Sequence, residues 1–316
     1  MKITILDKCT VTNGDVSLDE ISRLGETVFY DLVPYEKLAE TIGDSDAVIC
    51  NKAQITREVM EKCGNLKYVG LFATGYNNVD IEYARERGIA VANVPNYSTT
   101  AVAQMTFAMI LALSGSLFDY TKSTRDGDWV RSKTFSYFPY PIFELAGKTL
   151  GIFGFGDIGR EVAHIGEAFR MNIIVSTRTP SKCKGYECVS REELFARSDF
   201  LTLHAPLNSD TERMVNDKTI SLMKKSAFLI NTSRGGVIDE DALTRALNEE
   251  RIAGAGIDVL TVEPMPDGNP LMTAKNCLMT PHIAWAPIET RLRLITRVAE
   301  NLRAFIDGNP INIVNK

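Results

Sequence analysis

Three side chains capable of acid–base or anion-binding chemistry stand close behind apolar segments of the sequence. Arg234 follows the segment FLIN, Glu263 comes a few residues after AGAGIDV, and His282 occurs in TPHIAW behind another short apolar run. Such segments are typical of buried parallel strands, whose carboxyl ends meet at one edge of a sheet. We therefore expect the three side chains to lie near one another.

The three residue types together suit the reduction of a ketone that carries a carboxylate. Arg234 would bind the carboxylate and polarise the carbonyl group, while His282 would deliver a proton to the carbonyl oxygen as hydride reaches the carbon. Glu263 would stabilise the protonated histidine near neutral pH. Each residue alone has a simpler explanation: Arg234 or Glu263 could form a surface ion pair, and His282 could be a satisfied histidine at a helix start.

A glycine-rich turn indicates where a dinucleotide would bind. The turn is Gly154-Phe155-Gly156-Asp157-Ile158-Gly159, between the apolar run LGIF and the helical pattern REVAHIGEAF. In this context the first glycine permits the turn, the second lets the backbone approach the pyrophosphate, and the third permits close helix–strand packing. Amide groups at the helix start would face the negative charge. The alternative is a purely structural glycine turn.

The residues expected at the adenosine ribose favour NADP(H), although NAD(H) stays possible. The strand NIIVS ends at Thr177-Arg178-Thr179, where an NAD-selective site would normally place an acidic residue. A guanidinium can bind a 2'-phosphate through two hydrogen bonds, and Lys182 is nearby in the sequence. The alternative is that Arg178 is a solvated loop residue and that cofactor selectivity is weak.

The two remaining histidines have different predicted roles. His164 lies within the helix that follows the glycine turn, and we interpret it as structural. His204 ends a predicted strand before Ala205-Pro206, so we expect it near the cofactor, because strand ends line the crevice of such folds.

Short strand-like runs alternate with helical patterns along most of the chain, which predicts parallel sheets covered on both faces. The expected strands are Ile3–Asp7, Thr27–Asp31, Ala47–Cys50, Lys67–Ala73, Ala90–Val94, Thr149–Gly154, Asn172–Thr177, Phe200–His204, Phe228–Asn231, Ala255–Val259 and Leu278–Thr280. The expected helices are Pro34–Ile42, Asp80–Arg87, Ala101–Ser116 and Pro287–Ile306, with others beginning at Asp157, at Ser190, near Asp217 and at Asp239. The aromatic stretch Trp129–Phe143 is predicted to be an irregular arm that a partner subunit covers.

Composition argues against several other classes of protein. The 316 residues carry a formal net charge of −5, so no broad basic field exists to bind nucleic acid or an anionic membrane. No apolar run approaches the roughly 20 residues that span a bilayer, and the first residues lack a signal-peptide pattern. The six cysteines form no CxxC pair, so we expect free thiols in the cytoplasm and no metal site, with chelation by Cys183 and Cys188 as a remote alternative.

Five ordered segments of the sequence closely resemble the D-isomer-specific 2-hydroxyacid dehydrogenase family. They are GFGDIGREVA, LTLHAPL, LINTSRGGVIDEDAL, AGAGIDVLTVEP and TPHIAW, and weaker similarity spans nearly the whole chain. The resemblance implies an α/β fold of two doubly wound parallel-sheet domains with a cleft between them. A flavodoxin-like substrate domain would comprise residues 1–99 and 288–316. A Rossmann-type cofactor domain would comprise residues 100–287, including the aromatic arm at about 117–147.

The resemblance also implies roles for individual residues. The catalytic residues would be Arg234, Glu263 and His282, with Asp258 on the nicotinamide side. Backbone amides of Ala73, Thr74 and Gly75 would bind the substrate carboxylate together with Arg234 and His282. The implied cofactor contacts are Thr106, the glycine turn from Gly154 to Gly159, Thr177, Arg178, Thr179, His204, Ala205, Pro206, Thr211, Thr232, Ser233, Arg234, Asp258, His282 and Ala284.

Within the family, VICNKAQIT, LFATGYNNVD and HIAWA are most similar to glycerate dehydrogenases, also called hydroxypyruvate reductases. The expected reaction is reduction of hydroxypyruvate or glyoxylate to the D-2-hydroxy acid by a homodimer. Two alternatives stay open, namely a relative with another 2-keto acid substrate and a non-catalytic, co-repressor-like dinucleotide sensor.

Overall fold

The chain forms two compact units in the computed structural model, which describes residues 1–316. Unit 1 comprises Met1–Ser98 and Trp285–Lys316, and unit 2 comprises Thr99–Ala284. The predicted boundaries fall one residue away at the first junction and three residues away at the second. Each unit is built around one parallel sheet with helices on both faces.

Unit 1 contains a five-stranded sheet in the order β2-β1-β3-β4-β5, with every neighbouring pair parallel. This is the flavodoxin-like order. Its strands are β1 Lys2–Ile5, β2 Glu26–Phe29, β3 Ala47–Cys50, β4 Tyr68–Leu71 and β5 Ala90–Ala92. Its helices are α1 Asp19–Ser22, α2 Leu38–Ile42, α3 Arg57–Lys62, α4 Ile81–Glu86 and the returning C-terminal helix α11 Ile288–Ile306.

Side chains of the central strands alternate between two apolar clusters, as expected for a sheet buried on both faces. In β3, Ala47 and Ile49 pack in the cluster that includes Leu294 of α11. Val48 and Cys50 pack in the opposite cluster, which receives α2, α3 and α4. The near-continuous apolar runs of the sequence reflect this two-sided burial.

Unit 2 contains a seven-stranded parallel sheet in the order β12-β11-β10-β9-β6-β7-β8. Its strands are β6 Thr149–Phe153, β7 Asn172–Ser176, β8 Glu187–Cys188, β9 Phe200–Leu203, β10 Phe228–Asn231, β11 Gly254–Ile257 and β12 Cys277–Met279. Its helices are α5 Thr99–Ser114, α6 Leu117–Arg125, α7 Asp157–Ala168, α8 Arg191–Arg197, α9 Asp217–Ile220 and α10 Glu240–Asn248. The strand order reverses between β6 and β9, which is where ligands bind in open α/β sheets.

Most predicted strands and helices are confirmed, with ends shifted by one or two residues. The segment Pro34–Ile42 is part 3-10 helix, at Tyr35–Lys37, and part α2. The short elements α1, α3 and β8 were not predicted, because four to six residues, or two for β8, carry too little periodicity to identify.

One prediction about the aromatic arm is wrong in part. The arm was expected to begin near residue 117, but its first nine residues form α6. Residues 129–143 are irregular, as predicted, and contain neither helix nor strand.

No single helix has the length and apolar character needed to cross a membrane, although the bent pair of α5 and α6 passes that test when taken together.

The buried carboxylate of Asp7 links the ends of β1 and β3, between which the strand order of the first sheet reverses. Asp7 is 0% exposed, and its oxygens accept hydrogen bonds from the amides of Asn51, Lys52 and Ala53 at 2.6–3.1 Å. Burial raises the pKa of Asp7, and the three amides act against that rise. The loop after β3 therefore takes its shape from one side chain at the end of β1.

Replacing Asp7 with alanine should destabilise unit 1, because three amides lose their acceptor in a buried site. We expect Asp7→Ala to lower the free energy of unfolding by about 3 kcal/mol. Urea denaturation followed by circular dichroism measures the change. Asp31→Ala is the matched control, since the Asp31 side chain is 78% exposed. Equal unfolding midpoints for the two variants would contradict the assignment.

Candidate active site

The closest histidine–carboxylate pair in unit 2 joins His282 and Glu263. Nδ1 of His282 lies 2.6 Å from Oε2 of Glu263, and Oε1 of the same carboxylate accepts the amide of Leu260 at 2.9 Å. An ionised carboxylate only accepts hydrogen bonds, so Nδ1 carries a proton and donates it. The Nε2 atom forms no hydrogen bond within the protein. Both side chains are partly exposed, His282 at 26% and Glu263 at 31%.

Asp258 holds the loop that carries His282. It is 1% exposed. Its carboxylate accepts hydrogen bonds from Oγ1 of Thr280 at 2.5 Å and from the amides of Ile283 and Ala284 at 2.9 and 3.0 Å. The amide of His282 donates to the carbonyl of Asp258 at 2.7 Å. His282 has a left-handed φ of +54°, which is strained for a histidine and persists only where its surroundings fix it.

Burial raises the pKa of Asp258, while the hydrogen bonds from Thr280, Ala284 and Ile283 act in the opposite direction. Asp258 was assigned to the nicotinamide side by resemblance. In the structure both of its carboxylate oxygens are engaged by the loop at residues 280–284. Its observed contacts are those of a positioning residue.

Arg234 lies in a turn that is stabilised by hydrogen bonds of the Asn231 side chain. Asn231 is 0% exposed, and its Oδ1 accepts the amide and the hydroxyl of Ser233 at 3.0 and 2.8 Å. Its Nδ2 donates to the carbonyl of Arg234 at 2.9 Å. The guanidinium is exposed and has no acidic partner, so the simple surface ion pair is not formed. This role of Asn231 was not predicted from the sequence, although asparagine commonly closes a turn in this way.

The loops that carry Arg234 and Glu263 touch one another. A Cβ atom added to Gly235 would lie 1.8 Å from the carbonyl carbon of Leu260, so only glycine fits there. Leu260 is the residue whose amide binds Glu263. The structure thus brings His282 and Glu263 into direct contact and places Arg234 on the adjoining loop, at the ends of β10, β11 and β12.

The glycine turn has the three properties predicted for a dinucleotide site. Gly154 has a φ of +91°, and an added Cβ would lie 2.7 Å from the backbone of His204. A Cβ at Gly159 would lie 2.3 Å from the carbonyl oxygen of Gly154. A Cβ at Gly156 would meet nothing within 4 Å, so this glycine leaves space for a ligand rather than for packing.

The first turn of α7 has anion-binding capacity. The amides of Asp157, Ile158 and Gly159 donate no hydrogen bond within the protein, and the helix dipole places partial positive charge at the same end. The carboxylate of Asp157 is paired with Arg160. These observations fit a nicotinamide dinucleotide, whose pyrophosphate would meet the free amides.

The segment after β7 is open to a second anionic group. Arg178 and Thr179 are exposed, and Arg178 forms no ion pair. The amide of Thr179 donates to the hydroxyl of Thr177 at 3.4 Å. No acidic side chain stands among these three residues, so the segment can offer hydroxyl groups and a free guanidinium to a ligand.

Several side chains that the resemblance implied as cofactor contacts form hydrogen bonds within the protein instead. Oγ1 of Thr106 lies 3.0 Å from Oγ1 of Thr232, and both residues are buried. Oγ1 of Thr211 donates to the carbonyl of Pro206 at 2.7 Å. Thr106 and Thr211 therefore shape the loops around the strand ends. Ala205 follows β9, and Ala284, 3% exposed, has its amide bound to Asp258.

The environments of the other two histidines separate them from His282. Burial lowers the pKa of His204 to about 3, and neither of its ring nitrogens has a hydrogen-bond partner. It is therefore neutral at physiological pH and cannot supply a proton. His164 is 80% exposed on α7, 3.6 Å from Glu167. His282 alone combines a close carboxylate with a place at a strand end.

The predicted carboxylate-binding loop lies in unit 1, after β4. The carbonyls of Ala73 and Thr74 accept hydrogen bonds from the amide of Val94 and from Nδ2 of Asn93 at 2.9 and 2.7 Å. The hydroxyl of Thr74 donates to the carbonyl of Val94 at 2.7 Å. The amides of Ala73, Thr74 and Gly75 donate to no protein acceptor. The loop is thus fixed by its carbonyls and keeps its amides available.

Comparisons with known proteins agree with this arrangement. The family profile described as "D-isomer specific 2-hydroxyacid dehydrogenase, NAD binding domain" matches residues 107–284, which lie within unit 2. A hydroxypyruvate reductase from Blautia hydrogenotrophica is 40% identical over 322 aligned positions, covering 100% of both chains.

Two solved structures extend the similarity to the whole fold. One is an NADPH-dependent glyoxylate/hydroxypyruvate reductase from Sinorhizobium meliloti in complex with NADP and malonate, with 31% identity, a TM-score of 0.86 and coverage of 99% of this chain and 96% of that one. The other is an acyclic imino acid reductase in complex with NADPH and D-Arg, with 34% identity, a TM-score of 0.89 and coverage of 99% and 100%.

The neutral burial of His204 predicts a pH-dependent stability. Its pKa falls from about 6.5 to about 3 on folding, so the stabilisation is complete above pH 6.5 and is lost as the pH falls toward 3. Between pH 7 and pH 5, wild type should lose about 2 kcal/mol more unfolding free energy than His204→Gln. Urea denaturation at both pH values measures the difference. Equal losses would show that His204 is not buried in its neutral form.

Proposed function

The chain belongs to the D-isomer-specific 2-hydroxyacid dehydrogenase family, and we propose that it reduces hydroxypyruvate or glyoxylate to the corresponding D-2-hydroxy acid. The observation that carries the proposal is the 2.6 Å contact between His282 and Glu263 beside the loop of Arg234. The full-length similarity to a hydroxypyruvate reductase supports the choice of substrate.

The proposed substrate contacts follow from the free donors of the site. The guanidinium of Arg234 has no acidic partner, so it is available to bind the substrate carboxylate and to polarise the adjacent carbonyl. The unengaged amides of Ala73, Thr74 and Gly75 in unit 1 are also available to donate hydrogen bonds to an anionic group. A bound nicotinamide would supply the hydride.

His282 is the proposed proton donor. Its Nδ1–H is held by Glu263, so Nε2–H can be directed at the carbonyl oxygen. The carboxylate compensates the positive charge of the imidazolium before transfer and keeps the ring orientation fixed. After transfer the neutral ring keeps its Nδ1–H, and it can accept a proton at Nε2 in the reverse reaction.

NADP(H) is the proposed cofactor. Gly154, Gly156 and the amides at the start of α7 would hold the pyrophosphate. Arg178, flanked by Thr177 and Thr179, would hold the 2'-phosphate of the adenosine ribose, where an acidic residue would repel it. The complex of the Sinorhizobium reductase with NADP supports this choice.

The proposed activity is tested by initial rates of absorbance loss at the nicotinamide band. Hydroxypyruvate, glyoxylate and pyruvate are each assayed with NADPH and with NADH. Fast oxidation with hydroxypyruvate or glyoxylate and NADPH is the expected result. Turnover of pyruvate alone would refute the substrate assignment, and a lack of turnover with all six pairs would refute the proposed activity.

We also propose that the chain forms a homodimer through its aromatic arm. Val130, Phe135 and Phe138 are 89%, 90% and 78% exposed, and so much exposed apolar surface indicates an interface. Sedimentation velocity should give about twice the chain mass. A monomer at micromolar concentration would contradict the proposal.

Removing the imidazole should abolish the chemical step. We expect His282→Gln to lower kcat by about 100-fold or more, since general acid catalysis contributes that much. Binding of NADPH, measured by fluorescence titration, should change little. His164→Gln is the matched control and should keep the wild-type rate, because His164 is an exposed residue on α7. A His282→Gln enzyme with near wild-type kcat would remove His282 from the mechanism.

Removing the guanidinium of Arg178 should weaken NADPH selectively. We expect Arg178→Ala to raise the KM for NADPH about tenfold or more, the effect of one lost charged hydrogen bond, and to leave the KM for NADH within about twofold. Lys218→Ala, at another exposed cation of unit 2, controls for the general loss of positive charge. An equal change for both nucleotides would disprove a 2'-phosphate contact.

A further inference from the structure

Two cysteines flank the turn that follows the proposed 2'-phosphate segment. Cys183 comes directly after the 3-10 turn Pro180–Lys182 and is 5% exposed. Cys188 is exposed and ends β8, the edge strand of the sheet in unit 2. All six cysteines of the chain are free thiols. This pair has no part in the proposed reaction.

Strand register places the two thiols on the same face of the sheet. Cys188 is the register partner of Val175 in the parallel pair of β7 and β8, and register partners direct their side chains to one face. Val175 belongs to the apolar cluster in which Cys183 is buried. The side chains of Cys183 and Cys188 interact directly, and burial together with this contact raises the pKa of Cys183 to about 11.

The turn between the cysteines touches the glycine turn. The amide of Tyr186 donates to the carbonyl of Cys183 at 2.9 Å. The ring of Tyr186 packs edge-on against Phe155, with centroids 5.4 Å apart. Phe155 lies between the first two glycines of the dinucleotide turn. A change at the two cysteines can therefore reach both parts of the cofactor site, through Tyr186 and through the segment that ends at Lys182.

We propose that Cys183 and Cys188 form a reversible disulfide that weakens NADPH binding. The affinity effect rests on the proposed use of NADPH, whereas disulfide formation does not depend on it. In a reducing compartment both residues stay thiols, as in the structure, and the switch responds to oxidants such as hydrogen peroxide.

The chemistry is a two-electron oxidation in two displacements. The exposed thiol of Cys188 loses its proton, and the thiolate attacks one oxygen of hydrogen peroxide, so that the O–O bond breaks and a sulfenic acid forms. The hydroxide that leaves takes up the proton lost by the thiol and becomes one water. The sulfur of Cys183 then attacks the sulfenic sulfur, forming the S–S bond and releasing a second water. Two thiols and one peroxide thus give one disulfide and two waters. A dithiol reductant reverses the change by thiol–disulfide exchange.

The disulfide should disturb the cofactor site because the S–S bond, about 2 Å long, draws the two sulfur atoms closer together than the contact between the thiols does. The short loop 183–188 closes, and Tyr186 moves relative to Phe155. The 3-10 turn Pro180–Lys182, directly before Cys183, moves with it. We expect a higher KM for NADPH and little change in kcat at saturating NADPH, since His282 and Glu263 lie on other strand ends.

The experiment compares wild type, Cys188→Ser and Cys9→Ser after brief treatment with hydrogen peroxide. Cys9 is an exposed cysteine of unit 1, so Cys9→Ser is the matched control. Intact mass and thiol titration report the bond, and tryptic digestion should link residues 183–184 to residues 185–191. Fluorescence titration gives the Kd for NADPH, and steady-state rates give KM and kcat. Each sample is then measured again after reduction with dithiothreitol.

The expected result is a loss of 2 Da and a rise of about threefold or more in the Kd and KM for NADPH, both reversed by reduction. This result should appear in wild type and Cys9→Ser and be absent in Cys188→Ser. An unchanged mass, or oxygen added to Cys188 without a cross-link, would overturn the proposal. A disulfide that leaves the Kd unchanged, or a protein that binds no NADPH, would overturn the effect on the cofactor. A Kd effect in a protein that turns over no 2-keto acid would support the switch while refuting the proposed activity.

Discussion

The hydrogen bonds that Asp258 accepts determine the geometry of the candidate active site. A buried carboxylate is costly unless donors surround it, and here the donors come from one short loop, at Thr280, Ile283 and Ala284. The same loop carries His282 in a left-handed backbone conformation that is strained without such support. Because Asp258 follows β11 and the loop follows β12, the two strand ends fix the histidine.

The parallel sheet of unit 2 brings the other components to the same edge. Strands β10, β11 and β12 are neighbours, so Arg234, Glu263 and His282 follow adjacent strand ends. Glycines permit the close approach of the loops, most clearly at Gly235 against Leu260 and at Gly154 against His204. A side chain at either position would separate loops that must touch. The requirement for glycine therefore comes from backbone contact as well as from turn conformation.

The sequence predicted the parts of the fold that repeat a strong local pattern. The apolar strands and the glycine turn could be recognised because each has a period or a spacing of its own. The contact of Glu263 with His282 was expected from their strand ends and is present in the structure. The two-residue strand β8 and the helix α6 within the arm were missed or misassigned, because short or aromatic-rich segments adopt their structure through tertiary packing.

Residues that act through loops were harder to identify from sequence. Asp7 and Asn231 are ordinary polar residues near strand ends, and their importance follows from complete burial, which depends on the folded chain. Asp258 was noticed, but its hydrogen bonds to a loop more than 20 residues away could not be derived. Likewise, the family resemblance implied Thr106 and Thr211 as cofactor contacts, yet only the structure shows that their hydroxyls form hydrogen bonds within the protein.

In the proposed mechanism, Glu263 orients His282 through the 2.6 Å contact at Nδ1, so that the ring can give a proton to a keto acid. The most direct test measures kcat for hydroxypyruvate reduction and the Kd for NADPH in wild type and in Glu263→Ala. Since alanine removes the hydrogen-bond acceptor of Nδ1, kcat should fall about tenfold or more while the Kd for NADPH changes little. A wild-type kcat in Glu263→Ala would show that the carboxylate does not position His282.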